Sequence, residues 1–338
     1  MKLIKTTEAV GQVLCHDMTQ IIPGEYKGAR FRKGHIVTQE DIPVLLSMGK
    51  ENLYIFEMDE NKLHENDAAE ILCEICKGDH INRSEVREGK IELTASIDGL
   101  FTLDREKLLS VNAIDEIMIA TRKGDTAVHK GDKLAGTRVI PLVIGKDKLD
   151  KAKAIANGKP IMRVLPYTLQ TAAVITTGSE VFSGRIEDRF TPVLIEKLSA
   201  YGITVTHHLT VDDDIDHITN AVCTVKGKAD MILCTGGMSV DPDDNTPGAI
   251  RRSGARIVTY GAPVLPGAMF LLGYFEDGTP IMGLPGCVMY AKATIFDLVL
   301  PRIAAGVMLE KKDFVMYGEG GLCLGCEKCT YPHCQFGK

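Results

Sequence analysis

Apolar and polar residues alternate in two different patterns, one before and one after about residue 160. In the first part, short apolar runs are separated by turn signals such as Gly124-Asp125, which predicts a β-rich region with a few helices. Strands are predicted over 53–56, 90–97, 117–121 and 138–144, and helices over 41–48, 61–77 and 147–157. For the first helix, Thr38 is the expected N-cap and Gly49 the expected C-cap.

From residue 171 the pattern predicts an alternation of strands and helices. The run Ala172-Ala173-Val174-Ile175 is apolar on both faces, as in a buried strand of a parallel sheet. This succession predicts an α/β fold with a mostly parallel sheet, preceded by smaller β-rich α+β regions. Strands are predicted over 172–176, 203–206, 231–234 and 281–284, and helices over 191–200, 215–225 and 288–304.

The length of 338 residues predicts two or three domains, at ~100–200 residues each. Composition shifts and Gly-Pro breaks place the boundaries near residues 60, 158 and 310. The expected parts are an N-terminal β-rich region over 1–60, a helix plus β-rich accessory domain over 61–158, an α/β domain over 159–310, and a Cys-rich tail over 311–338.

Composition excludes several classes of protein. The net charge is −6 and Trp is absent, which disfavours nucleic-acid binding through phosphate contacts or base stacking. No apolar run is long enough to span a membrane, and the N-terminus lacks the pattern of a secretory signal. We therefore expect a cytoplasmic protein without a membrane partner.

Three Gly-rich loops follow predicted strands, and we name them the first loop (177–189), the second loop (236–245) and the third loop (284–287). Ligands of parallel sheets bind beyond the carboxyl ends of the strands. Glycine lets backbone N–H groups approach an anion closely. Three such loops at one sheet edge predict a site for an anionic small molecule. Its candidate binding residues are Thr177, Gly178, Ser179, Ser183, Gly184, Gly236, Gly237, Ser239, Thr246, Pro285 and Gly286.

Acidic residues lie in the same loops, at Asp188, Asp241, Asp243 and Asp244. Acids beside a phosphate would repel it unless a divalent cation lies between them. Mg²⁺ binds one or two carboxylates together with substrate phosphates, so the pattern predicts a Mg²⁺-dependent phosphoryl or nucleotidyl site. Helix capping is the alternative for Asp244, and it is the preferred interpretation for the acids at 212–214.

In these loops the sequence resembles the molybdopterin-binding domain of molybdenum-cofactor biosynthesis proteins, over about residues 171–306. The family carries a Ser-Gly…Asp loop, a Gly-Gly…Asp-x-Thr-Pro loop and a Leu-Pro-Gly loop, in this order. The resemblance implies a three-layer α/β sandwich. It also implies that Asp188 and Asp244 are the functional, catalytic acids, and that the loops hold the phosphate and dithiolene end of the pterin. The matching residues are Ser183-Gly184…Asp188, Gly236-Gly237…Asp244-Asn245-Thr246-Pro247 and Leu284-Pro285-Gly286.

Relatives of this type adenylylate molybdopterin with MgATP or insert molybdate into the adenylylated product, and the resemblance implies one of these reactions. Where insertases have a basic Lys-Pro-Gly-Lys run, residues 264–268 read Val-Leu-Pro-Gly-Ala without a lysine. A non-catalytic binding or carrier module therefore stays open, as does hydrolysis of nucleotide diphosphates. The resemblance also implies a homo-oligomer, with the apolar stretches 264–275 and 288–300 as its interface, although core packing explains them as well.

The chain has ten cysteines, and four of them crowd the tail at Cys323, Cys326, Cys329 and Cys334. Their C-x₂-C-x₂-C-x₄-C spacing predicts a metal site. The C-x₂-C-x₂-C run favours an iron–sulfur cluster, whereas His333 as an alternative ligand would favour Zn²⁺. Another pair, Cys73 and Cys76, is predicted to be buried in a helix rather than to bind metal.

Overall fold

The computed structural model describes residues 2–22, 25–55, 61–239, 241 and 244–338. Phe56 at the end of a predicted strand, the predicted boundary at residue 60, and Asp243 lie outside these ranges. The chain divides into two compact units. Unit 1 comprises Met1–Ser96, Leu103–Arg122 and Lys130–Val164, and unit 2 comprises Ile97–Thr102, Lys123–His129 and Leu165–Lys338.

The described residues form strands and α-helices that we number in chain order. The strands are β1 (Lys2–Lys5), β2 (Met18–Ile22), β3 (Tyr26–Phe31), β4 (Asn52–Ile55), β5 (Lys62–His64), β6 (Ile81–Arg83), β7 (Lys90–Ala95), β8 (Gly99–Leu103), β9 (Ile117–Thr121), β10 (Thr126–Val128), β11 (Lys133–Val139), β12 (Val143–Gly145), β13 (Met162–Leu165), β14 (Thr171–Thr177), β15 (Thr204–Val211), β16 (Met231–Thr235), β17 (Arg256–Tyr260), β18 (Leu271–Tyr274) and β19 (Pro280–Leu284). The helices are α1 (Asp41–Ser47), α2 (Glu65–Cys76), α3 (Arg105–Asn112), α4 (Lys146–Ala156), α5 (Ser179–Phe182), α6 (Phe190–Ser199), α7 (Ile215–Val225), α8 (Thr246–Arg252), α9 (Ile295–Ala304) and α10 (Lys311–Val315). Short 3₁₀ turns cover Thr6–Glu8, Gly286–Met289 and Met316–Gly318.

Unit 1 is built from small antiparallel sheets. A four-stranded sheet has the order β6-β7-β11-β9, and two-stranded sheets pair β1 with β4, β2 with β3, and β5 with β12. The N-terminal part has its own apolar cluster, which includes Leu14, Phe31, Leu45 and Leu53. The β-rich prediction for this part of the chain agrees with these sheets.

Two predictions in unit 1 were wrong in detail. The helix predicted over 61–77 begins only at Glu65, because the three residues before it form β5 and pair with β12, where His64 lies opposite Val143. The strand predicted over 138–144 is two strands, β11 and β12. The cause is the same in both places, since pairing between segments far apart in sequence decides where each element ends.

Unit 2 contains a six-stranded sheet with the order β15-β14-β16-β19-β18-β17. The pairings among β15, β14, β16 and β19 are parallel, and those of β18 with β19 and β17 are antiparallel. This confirms the α/β class with a mostly parallel sheet.

Side chains of the central strands alternate between two cores, one on each face of the sheet. Val174 and Leu233 pack with residues of α6 and α9 on one face. Ile175 and Ile232 pack with residues of α7 and α8 on the other face. Helices on both sides of one sheet are the three layers that the family resemblance implies.

The helix predicted over 288–304 is interrupted. A 3₁₀ turn covers Gly286–Met289, and α9 begins at Ile295 after the N-cap Thr294. Thr294 and Asp297 form a capping box, in which each side chain bonds to the other's backbone, and this fixes the start of the helix. At α1, Glu40 rather than Thr38 is the N-cap, and the Asp41 carboxylate accepts bonds from the Thr38 N–H and hydroxyl at 2.8 Å each.

The apolar stretches 264–275 and 288–300 contribute to the core of unit 2, where Phe270, Leu271 and Val299 are fully buried. Their apolar character therefore has an explanation within one chain.

Among the described residues, no helix is both long enough and apolar enough to cross a membrane.

Candidate functional site

The first, second and third loops leave the carboxyl ends of β14, β16 and β19, which are neighbours in the sheet. The register places Thr176 opposite Thr235, and Thr235 opposite Leu284. The three strand ends are therefore level, and the loops start side by side. This is the edge at which a parallel sheet binds its ligands.

Two threonine hydroxyls tie the first loop to the second. Thr177 Oγ1 donates to the Thr235 carbonyl at 3.0 Å, and Thr246 Oγ1 donates to the Gly236 carbonyl at 2.9 Å. The two hydroxyl oxygens lie 3.3 Å apart. Both residues are buried, with exposed fractions of 4% for Thr177 and 0% for Thr246. Thr177 and Thr246, both predicted as ligand-binding residues, therefore hold the loops together beneath the surface.

The glycines of the second loop allow this close approach. Gly236 has φ +84°, and a Cβ atom there would collide with the Thr177 carbonyl and lie 2.7 Å from Thr177 Oγ1. A Cβ atom on Gly237 would lie 2.9 Å from Thr246 Oγ1. Glycine is needed at Gly236 because the backbones of two loops meet there, and at Gly237 because the Thr246 side chain packs against it.

Asp213 forms a second link between these loops, which the sequence interpretation missed. Its carboxylate accepts bonds from the Ser179 N–H at 2.8 Å and the Ser179 hydroxyl at 2.9 Å. Its carbonyl accepts a bond from Asn245 Nδ2 at 2.9 Å. The expected helix cap is its neighbour Asp214, which accepts from the backbone N–H groups of Asp216 and His217 at the start of α7. A helix needs only one acidic cap, so two of the three acids before α7 were left without a role. These two extra acids were the signal in the sequence for a further function such as that of Asp213.

The Asp188 carboxylate is surrounded by donors. Oδ1 accepts from the N–H groups of Phe190 and Thr191 at 2.8 and 3.1 Å, which caps the start of α6. Oδ2 accepts from the hydroxyls of Thr191 and Thr176 at 2.6 and 2.9 Å. Burial raises the pKa of Asp188, but these hydrogen bonds together outweigh burial, so the pKa lies below its ordinary value.

His208 on β15 completes the environment of Asp188. Its Nε2 lies 3.2 Å from Asp188 Oδ2, 3.1 Å from Thr176 Oγ1 and 3.2 Å from Thr191 Oγ1. His208 lies within β15, which pairs with β14, and this position brings its imidazole against the acid of the first loop.

Asp244 is bonded differently. Among the described residues, its carboxylate accepts one hydrogen bond, from the Asp241 N–H at 3.4 Å. Tyr260 lies nearby and donates its hydroxyl to the Met238 carbonyl at 3.0 Å. Burial raises the pKa of Tyr260, and the charge of Asp244 raises it further. The Asp244 oxygens thus retain capacity for a cation.

The remaining predicted binding residues lie on the same edge. Ser183 donates its hydroxyl to the Ser179 carbonyl at 2.7 Å within the first loop, next to Gly184. In the third loop, Pro285 precedes the 3₁₀ turn, and a Cβ atom added to Gly286 would meet nothing within 4 Å. Ser239 is exposed.

The four tail cysteines line one cavity of about 500 Å³. Cys326 and Cys329 are exposed, and Cys323 and Cys334 are half-buried. Within the part of the chain that the structure describes, no three His, Cys, Asp or Glu side chains form a group that would hold a metal ion as they stand. The metal assignment for the tail stays a prediction.

Cys73 and Cys76 are buried in α2. Burial raises the pKa of the Cys76 thiol to about 12, with a smaller contribution from Cys73. A thiol that resists deprotonation packs as an apolar group, as predicted from its helical position.

Comparison with known proteins assigns two segments of the chain. A family model described as "Probable molybdopterin binding domain" matches residues 173–305, and a model of a domain of unknown function (DUF8806) matches residues 3–57. A CinA-like protein of Desulfosudis oleivorans is 42% identical over 82 residues, which are 24% of this chain and 20% of that protein. A CinA-like protein of Pseudothermotoga lettingae is 38% identical over 85 residues, 25% of this chain and 21% of that protein. The aligned segment thus spans about a fifth of the length of these relatives.

Among solved structures, the molybdopterin biosynthesis enzyme MoaB of Thermus thermophilus is 21% identical, with a TM-score of 0.35, over 41% of this chain and 98% of that chain. The family match covers β14 to α9, the segment that carries all three loops. Residues 173–305 of this chain are therefore similar to the molybdopterin-binding domain family.

Proposed function

We propose that this protein binds a molybdopterin-type pterin at its three loops and acts in molybdenum-cofactor biosynthesis. The observation that carries the proposal is the level alignment of the three loops at the ends of adjacent parallel strands. Backbone N–H groups of Gly-rich loops suit the phosphate of such a ligand. The open space at Gly286 leaves room for a ligand to approach the third loop.

The two predicted acids take different roles in this proposal. Asp244 accepts a single hydrogen bond among the described residues, so in this proposal it would bind Mg²⁺, which supplies charge neutralisation at a diphosphate or molybdate. Asp188 already accepts bonds from two backbone and two side-chain donors and faces His208. We assign it the role of a positioning residue that holds the first loop in place.

The reaction we propose is Mg²⁺-dependent adenylylation of molybdopterin with ATP, or insertion of molybdate into the adenylylated product. In either case Asp244 would place the cation, and the loops would orient the pterin phosphate. The soluble pterin ligand and these substrates are consistent with the expected cytoplasmic location.

The first experiment asks whether the pterin is bound. The full chain is purified from a host that makes the cofactor, and bound pterin is detected by its fluorescence after oxidation. Titration with molybdopterin should then give a Kd tighter than ~1 mM, which corresponds to about 4 kcal/mol. Absence of both signals would reject the proposal.

The second experiment separates catalysis from binding. In Asp244→Asn, turnover should fall while pterin affinity stays within about tenfold, or ~1.4 kcal/mol. Asp277→Asn is the matched control, because Asp277 lies in the turn between β18 and β19, where its carboxylate accepts a local bond from the Thr279 N–H. Unchanged turnover in Asp244→Asn would instead favour a non-catalytic binding or carrier module.

One observation favours a non-catalytic binding or carrier module. The segment 264–268, where insertases carry lysines, contacts the core through two residues: Val264 is buried, and a Cβ atom on Gly267 would lie 2.6 Å from Ile295 Cγ2. It supplies no cation for molybdate or ATP. Hydrolysis of nucleotide diphosphates is tested in parallel by screening such compounds for release of AMP.

Two further assignments belong to this proposal. We propose that the tail cysteines bind a metal, as Zn²⁺ or an iron–sulfur cluster.

The homo-oligomer implied by the resemblance is tested by light scattering of the full chain, and a monomer would reject it.

A further inference from the structure

Strand β17 brings one more strand end to the edge of the sheet that carries the three loops. It runs antiparallel to β18, which runs antiparallel to β19, so β17 points in the same direction as the parallel strands. Its last residue, Tyr260, lies opposite Leu271, which lies opposite Gly283, and Gly283 pairs with Cys234 of β16. Tyr260 is therefore level with the residue that precedes Thr235, at the end of β16.

The Tyr260 hydroxyl holds the second loop. It donates to the Met238 carbonyl at 3.0 Å and is shared with the Ser239 carbonyl oxygen at 3.3 Å. Because β19 and β18 lie between β16 and β17 in the sheet, this bond draws the second loop along the sheet edge toward β17. The edge thus offers two places for a ligand group, one beside the first loop and one beside Tyr260.

Arg251 of α8 lies over the ring of Tyr260. Its Cζ atom is 5.9 Å from the ring centroid, within the ~6 Å at which a cation–π interaction holds a guanidinium in place. The Arg251 side chain is exposed, so its N–H donors are accessible to a ligand. No salt bridge between described residues involves its guanidinium, whereas the neighbouring Arg252 donates to Asp216 Oδ1 at 2.7 Å.

The Asp244 carboxylate belongs to the same neighbourhood. Burial is the main reason that the pKa of Tyr260 is raised; the charge of Asp244 raises it further, and the charge of Arg251 lowers it. The carboxylate and the guanidinium are therefore both close enough to act on one hydroxyl group. The end of the second loop combines an acid that accepts a single hydrogen bond among the described residues with a cation that the Tyr260 ring positions.

This combination suits a polyphosphate. The planar guanidinium of arginine can hydrogen-bond two phosphate oxygens at once, and Mg²⁺ bridges a carboxylate and phosphate oxygens. A nucleoside triphosphate carries several phosphates and normally arrives with Mg²⁺, so it can use both groups. The single phosphate of a pterin needs only the backbone N–H groups of the Gly-rich loops. Residues 264–268 supply no cation for a nucleotide, and Arg251 does.

We propose that Arg251, held over Tyr260, binds the phosphates of a nucleoside triphosphate whose Mg²⁺ is bound by Asp244. The nucleotide then lies at the β17 side of the second loop, and the pterin lies beside the first and third loops. This inference rests on the proposed function and deepens it, because it gives the second substrate a place of its own. Tyr260 acts through Arg251 as a positioning residue.

The test compares two neighbouring arginines of the full chain. Binding of ATP with excess Mg²⁺ is measured by titration calorimetry, and binding of molybdopterin is measured on the same samples. Arg251→Gln should weaken MgATP binding about ten- to a hundredfold, since a hydrogen bond to a charged group is lost. Arg251→Lys keeps the charge without the planar fork and should fall between wild type and Arg251→Gln.

Arg252→Gln is the matched control. It removes the same charge from the next position of α8, where the side chain is already paired with Asp216. Its effect on MgATP binding should be less than about threefold, because exposed charges outside direct contact are screened by salt. Both arginines are exposed, so the variants should keep the fold, and circular dichroism checks this.

Four outcomes would overturn the inference. Equal MgATP affinities of Arg251→Gln and Arg252→Gln would remove Arg251 from the nucleotide site. Equal losses of pterin and MgATP affinity in Arg251→Gln would assign the arginine to the pterin phosphate. A loss of MgATP affinity in Arg185→Gln but not in Arg251→Gln would move the nucleotide to the first loop. Pterin binding by a wild-type chain that does not bind MgATP would reject the nucleotide site alone.

Failure of the proposed function is seen separately. A wild-type chain that binds MgATP through Arg251 but does not bind molybdopterin would reject the pterin proposal and support the nucleotide site.

Discussion

The hydroxyl oxygen of Thr177 lies 3.3 Å from the hydroxyl oxygen of Thr246, although 69 residues separate them along the chain. Each hydroxyl also donates to a carbonyl at the end of β16, at Thr235 or Gly236. The two threonines therefore join the first loop to the second at the edge of the sheet where we place the pterin.

Replacement of Thr246 by Val should lower the free energy of unfolding by about 1–3 kcal/mol, because the half-buried Gly236 carbonyl loses its donor. Denaturant unfolding measures the change. Thr224→Val is the control: this exposed threonine donates to the Asn220 carbonyl within α7, and its loss should change stability by less than about 0.5 kcal/mol. Equal effects at both positions would contradict the role of Thr246.

Substitution of Gly236 by Ala should destabilise more than the same change at Gly227. Both have positive φ, +84° and +74°, so both lose about 1–2 kcal/mol to backbone strain. Gly227 has open space around it, whereas the new methyl group at Gly236 would collide with Thr177. This overpacking adds about 1–3 kcal/mol. Thermal and denaturant unfolding of the two variants measure the difference, and equal losses would show that the loops can separate.

Asp188→Asn should destabilise the protein at neutral pH by about 1.5–3 kcal/mol, since charge-assisted hydrogen bonds are lost. The pKa of Asp188 lies below its ordinary value in the folded protein, so its stabilising contribution is fully present above the unfolded pKa of about 3.9. The contribution is lost as pH falls through the lower, folded pKa. The difference between wild type and variant should therefore shrink below about pH 4.

Urea unfolding from pH 3 to 7 measures this dependence. His208 faces the same carboxylate oxygen, so the series is repeated with His208→Gln to separate the imidazole from the acid. A difference that stays constant down to pH 3 would mean that the charge of Asp188 does not stabilise the fold.

Thiol labelling should divide the cysteines by burial. Cys15, Cys73, Cys76 and Cys234 are buried, and burial raises the pKa of Cys76 and of Cys234 to about 12. At pH 8 these four should react only after unfolding, while the exposed Cys223 reacts at once. Mass spectrometry of labelled peptides gives the assignment. Rapid labelling of Cys76 in the native protein would contradict the packing of α2.

Local sequence signals were sufficient to predict the ends of an element where these ends depend on the element's own apolar periodicity. Helix α7 was predicted over its observed range, because apolar residues recur at helical spacing and an aspartate precedes them. Strand β9 was also predicted with its observed ends. The interruption before α9 was missed, although Thr294 and Asp297 carry the Thr-x-x-Asp spacing of a capping box.

Long-range pairing explains most of what the sequence could not predict. Strands β17 and β18 were missed because their pairing with each other, and that of β18 with β19, is antiparallel at one side of a mainly parallel sheet. In the site, the three loops and their order were predicted from the sequence. The sequence did not predict that two threonines and His208 surround the Asp188 carboxylate, because His208 lies on another strand.

The bonds of Asp213 have a consequence for ligand binding. Because Asp213 bonds to Ser179 of the first loop and to Asn245 of the second, both loops are already ordered before a ligand arrives. Their conformational entropy is lost when the chain folds, so little of the binding free energy is spent on arranging them. A preorganised edge of this kind favours rapid capture of a small, rigid ligand over gradual closure around a large one.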